Sequence, residues 1–163
     1  MSPQENQKEK TTIILFSGDL DKAIAAFIIA NGAAAYGHDV TIFFTFWGLN
    51  TLRKDQPVSV RKGFLEKMFG KMMPRGANKL SLSKMNFAGI GPKLIKHVMK
   101  KHNAPDLPQL IELAREQGVK LVACTMTMDL LGLTKEELMD RIDYAGVATY
   151  LGDAAEAKVN LFI

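Results

Sequence analysis

The sequence predicts an α/β fold, a single domain in which one parallel sheet is covered by helices on both faces. Three observations carry this reading. Apolar runs at 11–16 (TTIILF), 40–46 (VTIFFTF) and 119–124 (VKLVAC) lack a consistently polar face, as strands buried on both sides require. Segments with apolar residues at helical spacing separate them, and such alternation winds a parallel sheet. The 163 residues, 47% hydrophobic and 23% charged, suit one core of ordinary size.

Taken in order, residues 1–10 (MSPQENQKEK) are polar and read as a disordered tail, without the apolar stretch of a signal peptide. Ser17-Gly18-Asp19 breaks the first strand, and Asp19 is a suitable N-cap. The helix that follows places Leu20, Ala23, Ile24, Phe27 and Ile28 on one face, and Gly37 ends it. Trp47-Gly48 terminates the second strand. A helix over 60–70 gathers Phe64, Leu65, Met68 and Phe69, while residues 71–91 show little periodicity. Pro92 suits a first helical residue, with Leu94, Ile95, Val98 and Met99 as the apolar stripe. Asp106 caps the next helix, which faces inward through Leu107, Leu110, Ile111 and Ala114, and Gly118 closes it. Thr134 and Glu137 form a capping-box pair for a short helix reaching about Arg141. A very short strand near Tyr144, a helix over 146–157 and a strand over 158–163 follow.

The net charge of +4 conceals an asymmetry, because residues 61–102 hold eleven Lys or Arg and one acid, Glu66. Opposite charge speeds and orients encounters more than it adds affinity. Lys67, Lys71, Arg75 and Lys79, with Met68, Met72, Met73 and Met85 nearby, therefore suit transient docking of an acidic partner. A plainly solvated basic face is the alternative. The segment lacks interleaved surface aromatics and any nucleic-acid motif, so no nucleic-acid partner is expected. No apolar run is long enough for a transmembrane segment. A single cysteine allows no internal disulfide and fits a cytoplasmic location.

In parallel sheets, ligands and reactive groups gather at the carboxyl ends of strands. Three loops meet that rule: Ser17-Gly18-Asp19, Trp47-Gly48 and Cys124-Thr125-Met126-Thr127. Cys124 has two readings. It is a small buried hydrophobe, or it is a working thiol at the sheet's edge, where N–H groups of the turn favour a thiolate. A thiolate there attacks sulfane sulfur and carries a persulfide. Met126 and Met128 flank and shield it, and Trp47 either walls its pocket or plugs the edge. Ser17-Gly18-Asp19 is ordinary capping chemistry or an anion-holding turn. There is no Cys-x-x-Cys, no P-loop and no Gly-x-Gly-x-x-Gly, and one Cys with scattered His makes no zinc site. No metal and no cofactor are expected.

The segments TFWGLN (45–50), ACTMTMDLLGL (123–133) and YAGVATYLGDA (144–154) resemble the DsrE/DsrF/DsrH-like sulfur-relay family. The resemblance is to its longer single-cysteine branch, labelled peroxiredoxin-like or sulfurtransferase, and it covers nearly all of 11–163. It implies a mainly parallel five-stranded sheet in a flavodoxin-like three-layer sandwich. It also implies trimers or hexamers and a cysteine that passes persulfide sulfur between partners. Only Cys124 matches that cysteine. Residues 56–91 form a basic, Met-rich insertion, longer than in the compact sulfur-relay subunits. The expected function is a cytoplasmic sulfur carrier or sulfurtransferase that takes sulfur from a donor protein and relays it to an acceptor. A binding subunit with a structural cysteine is the alternative, and a thiol peroxidase, lacking a resolving cysteine, ranks behind it.

Overall fold

The structure, a computed structural model, describes residues 8–163. Its strands are β1 (Lys10–Leu15), β2 (Asp39–Phe44), β3 (Lys120–Cys124), β4 (Asp143–Ala145) and β5 (Val159–Phe162). Its helices are α1 (Leu20–Ala35), α2 (Phe64–Met72), α3 (Ile90–Lys101), α4 (Leu107–Glu116), α5 (Thr125–Leu131) and α6 (Val147–Glu156). All strand pairs are parallel, in the order β4-β3-β2-β1-β5.

Right-handed crossovers decide where the helices lie. From β1 through β4 the chain crosses the sheet in one direction, so α1 and α4 share a face. They pack together there, and the Asn31 side chain donates to the Leu110 carbonyl at 3.0 Å. The step from β4 back past β1 to β5 reverses direction, and the same handedness puts α6 alone on the other face. Alternation along the strands then makes two cores of unequal size. Ile13, Leu15, Ile42, Phe44, Leu121 and Ala123 meet α1 and α4 in the large one. Phe43, Val122 and Cys124 meet Tyr150 of α6 in the small one.

Several elements differ from the sequence reading. β1 begins at Lys10, inside the expected tail, because Lys10 pairs with Asp39 of β2; residues 1–7 lie outside the described residues. α1 buries Ala26, Ala30 and Asn31 and leaves Ile28 exposed, because small side chains let it lie close against α4. Asp19 occupies the N-cap position but makes no capping bond; its carboxylate accepts from Ser17 Oγ at 2.8 Å and pairs with Lys22 at 3.0 Å. Only half of the capping box forms, Thr134 N–H donating to Glu137 Oε2 at 3.0 Å, and a single turn, Lys135–Glu137, follows. The backbone turns away to pair with 52–54: Lys54 N–H donates to Glu137 O and Met139 N–H to Leu52 O, each at 2.8 Å.

The stretch over 56–91 is anchored at a few points and otherwise lies open. α2 starts at Phe64, later than expected, because Gly63 N–H is capped by Glu66. Arg53, fully buried, donates to the carbonyls of Gly70, Met73 and Pro74 and so holds the end of α2. Gly132, at the end of α5 with φ +61°, admits Glu66 so closely that a Cβ there would sit 2.7 Å from its side chain. The Ser81 carbonyl accepts Leu20 N–H at 2.7 Å, and Asp21 accepts from Ser83 N–H and Oγ at 2.9 and 2.6 Å. The apolar stripes of α2 and α3 nevertheless face solvent, with Phe64 82% and Leu94 60% exposed, because no described element covers them.

Candidate functional site

β3 ends at Cys124, which is also the N-cap residue of α5, in extended backbone. Pairing with Ala145 of β4 fixes its position, and the parity of β3 turns its side chain to the α6 face. The thiol sits among Phe43, Val122 and Tyr150, with Ile14, Ala145 and Ala154 against them. It is buried in this chain, 2% exposed. Its cover is thin. Tyr150 is the only wholly buried residue of α6, stacked 4.9 Å from Phe43, with its hydroxyl 3.2 Å from Thr12 Oγ1. The methionines do not shield it: Met128 joins the large core and Met126 is exposed.

The other two loops form a different site. Ser17, Gly18, Asp19 and Trp47 line a cavity of about 420 Å³, together with Lys22, Asn50, Pro74 and Ser81. Phe46 enters the turn after β2 with φ at 44°, a left-handed backbone rare for an aromatic, and its ring lies 5.1 Å from Phe16. Gly48 lets that turn touch β1, since a Cβ there would lie 2.0 Å from the Leu15 carbonyl oxygen. Most backbone donors of the Ser17 turn are already used. Phe16 and Ser17 N–H donate to Ile163 O, Asp19 N–H to Ser17 Oγ, and Leu20 N–H to Ser81 O. Gly18 N–H is the exception.

Cys124, Thr125, Met126 and Thr127 do not line this cavity. Thr127 is buried and tied to Thr45 Oγ1 at 2.9 Å, while Thr125 Oγ1 lies 3.5 Å from Ala145 O. Trp47, 44% exposed, therefore walls the Ser17 cavity and does not stand over the thiol. A second cavity, about 350 Å³, comes closer to Cys124, because Phe43, Val122, Ala145 and Tyr150 belong both to it and to the thiol's surroundings. Of the four basic residues, Lys67, Lys71 and Arg75 line one further cavity, and Lys79 lies outside it. Tyr150 and Arg53 were not singled out by the sequence; YAGVATY marks the helix, but not which side chain seals the thiol. Among the described residues, no group of three or more His, Cys, Asp or Glu side chains is placed to hold a metal. No helix there is long and apolar enough to cross a membrane.

A parallel α/β domain with one cysteine at a strand's carboxyl end is the class that fold and site define. More narrowly, the chain belongs to the DsrE/DsrF/DrsH-like family, whose sequence model matches residues 7–162. It is 75% identical over 157 residues to YrkE of Bacillus subtilis, covering 96% of this chain and 98% of that one. It is 37% identical over 161 residues to the sulfur carrier protein DsrE2 of Allochromatium vinosum, covering 96% and 99%. Two solved structures share the fold at low identity. They are MTH1491 from Methanobacterium thermoautotrophicum (TM-score 0.58, 12% identity, 96% of this chain and 100% of that one) and ychN from E. coli (TM-score 0.56, 11% identity, 95% and 99%).

Proposed function

We propose that this protein is a cytoplasmic sulfur carrier that holds sulfane sulfur as a persulfide on Cys124 and relays it to a partner protein. The carrying observation is the sole cysteine at the carboxyl end of β3, in a chain similar along its length to a protein named as a sulfur carrier. The chemistry is an exchange at sulfur. The Cys124 thiolate attacks the outer sulfur of a donor persulfide, an S–S bond forms, and the donor leaves as its thiolate. An acceptor thiolate then attacks the outer sulfur of the Cys124 persulfide and restores the Cys124 thiolate.

Loading requires that the thiol be reached, and the N-terminal half of α6 is the part that can move. Its far end is tied by the Lys10–Glu156 ion pair and by Asn160 Nδ2 donating to Ala154 O. Its near end starts at Gly146, which supplies no side-chain cap. Exposed Met126, Val147, Leu151 and Phe162 leave apolar surface around this end, and a partner or a second copy would cover it. A trimer or hexamer is the expected assembly, and a clean monomer in light scattering at micromolar concentration would remove it. Lys67, Lys71, Arg75 and Lys79 supply the docking charges for an acidic donor or acceptor, the first three of them from the lining of the cavity beside α2.

The test is intact mass after incubation with polysulfide or glutathione persulfide. Addition of about 32 Da, one sulfur atom, reversed by a reductant and absent from Cys124→Ser, is expected. The burial of Cys124 favours a second reading, a binding subunit with an inert structural cysteine. No mass gain from any donor, with alkylation only on global unfolding, would select it.

A further inference from the structure

A cavity of about 250 Å³ lies between α2 and the turn at Lys135–Glu137. Four cations, Lys62, Lys67, Lys71 and Arg75, line it with two carboxylates, Glu66 and Glu137. Glu66 is committed to its own helix, accepting Gly63 N–H at 2.9 Å. Glu137 is buried among three cations. Its Oε2 accepts from Lys62 Nζ and, at 3.0 Å, from Thr134 N–H. Its Oε1 lies 3.8 Å from both Arg53 Nη2 and Arg75 Nη1, beyond hydrogen-bonding distance of either. Buried Arg75 Nη1 and Arg53 Nε have no acceptor among the described residues.

One carboxylate cannot balance three cations, and buried unpaired charge is costly. Burial first, and then the like charge of Arg75, hold the Arg53 guanidinium down to about 10 against the opposing pull of Glu137. Of the two orphaned donors, Arg75 lines this cavity, and water there would accept from it without neutralising the excess. An anion does both. The cavity is smaller than the pockets that hold drug-sized ligands, which limits the anion to a small inorganic one.

We infer that this cavity binds a small divalent oxyanion of the sulfate, thiosulfate or phosphate class, with Lys62 and Arg75 as inner ligands and Lys67 and Lys71 at the mouth. Lys62 Nζ also donates to the Gly132 carbonyl at the end of α5, whose other end is Cys124. A helix of that length spans about 10 Å, so the anion lies well away from the thiol. It fastens the insertion to the end of α5 and takes no part in sulfur exchange, and so goes beyond the carrier reading.

Isothermal titration of the full chain with sodium sulfate, thiosulfate and phosphate in turn, at ionic strength fixed with sodium chloride, tests this. Saturable one-to-one binding of at least one is expected, weakened tenfold or more in Arg75→Gln, and the tightest of the three identifies the source. Sulfate and phosphate stabilise folded proteins generally, so thermal midpoints of wild type and Arg75→Gln are compared across the same titration. The wild-type midpoint should rise steeply at low concentration and then with the logarithm of concentration, while that of the variant stays linear. Glu137→Gln, which removes the competing carboxylate, should bind the anion several-fold tighter. No saturable heat, with parallel linear midpoints in wild type and Arg75→Gln, would overturn the site and leave water as the partner of those donors.

Discussion

The two faces of the sheet are made by the same strands and differ in almost everything else. On one, α1 and α4 press on each other and on alternate residues of β1, β2 and β3, and the large core results. On the other, one ten-residue helix with a single wholly buried side chain covers the thiol. The difference is a consequence of winding, because only the last crossover reverses direction. It separates stability from access. Cooperative unfolding is governed by the thick face, whereas local opening draws on regions with few buried apolar contacts, which here means α6.

The largest effects that could break this contrast come from truncating one aromatic on each face. Phe27 is fully buried, 6.1 Å from the Phe44 ring, and Phe27→Ala should cost about 3–5 kcal/mol of global stability. Tyr150→Ala should cost less, about 2–3 kcal/mol, because the thin face has solvent close at hand to fill the gap. Alkylation separates them further. In Tyr150→Ala, Cys124 should react with iodoacetamide at least tenfold faster than in wild type, at a rate insensitive to low denaturant. In Phe27→Ala, any acceleration should follow global unfolding and rise with denaturant. If labelling in Tyr150→Ala also tracked global stability, α6 would not be the gate.

An effect of middle size concerns the insertion, whose exposed stripes belong to neither core. Reversing Lys67, Lys71 and Lys79 to Glu should slow protein-to-protein sulfur transfer several-fold at low ionic strength and little at high salt. An unchanged rate at both would leave these lysines a solvated face.

How far the sequence could be read follows the same division. The three apolar runs announced β1, β2 and β3, and the caps at Asp106 and Gly118 placed α4, since short-range chemistry decides those features. The position of Cys124 at a strand end was legible for the same reason. Its direction was not. KLVAC is apolar on both sides, so only pairing with β2 and β4 reveals that Cys124 shares a side with Val122 and Phe43. Cys124 therefore fell together with Trp47 on the rule that strand ends make one site, although they line separate places. The stripes of α2 and α3 were legible as apolar faces but their exposure was not, because amphipathic spacing says which face is apolar, and not what will cover it. Arg53 carried no local signal, and Glu137 carried only that of a helix cap, which says nothing of its cationic neighbours. Residues so far apart in sequence meet only because the backbone at 52–54 pairs with 137–139.

The smallest expected effect tests where the insertion joins the thick face, at Asp21 and Ser83. Burial raises the Asp21 carboxyl, but the hydrogen bonds from the Ser83 hydroxyl and N–H lower it more, and it ends below the ordinary carboxylate value. A carboxylate held down in the folded state contributes stability that is fully present above its unfolded pKa, about 3.9, and is lost as pH falls through the folded value. The clamp should therefore hold at neutral pH and loosen in acid. Hydrogen-exchange protection of the Ser83 amide should drop a few-fold between pH 5 and 3 in wild type. In Asp21→Asn it should be low already at pH 7 and nearly flat across that window. Cys124, under the opposite face, should alkylate at the same rate in both proteins at neutral pH, because the clamp and α6 share no contact surface. If Asp21→Asn exposed the thiol, the two faces would be coupled through the insertion, and the division between stability and access would fail at the point where the chain passes from one to the other.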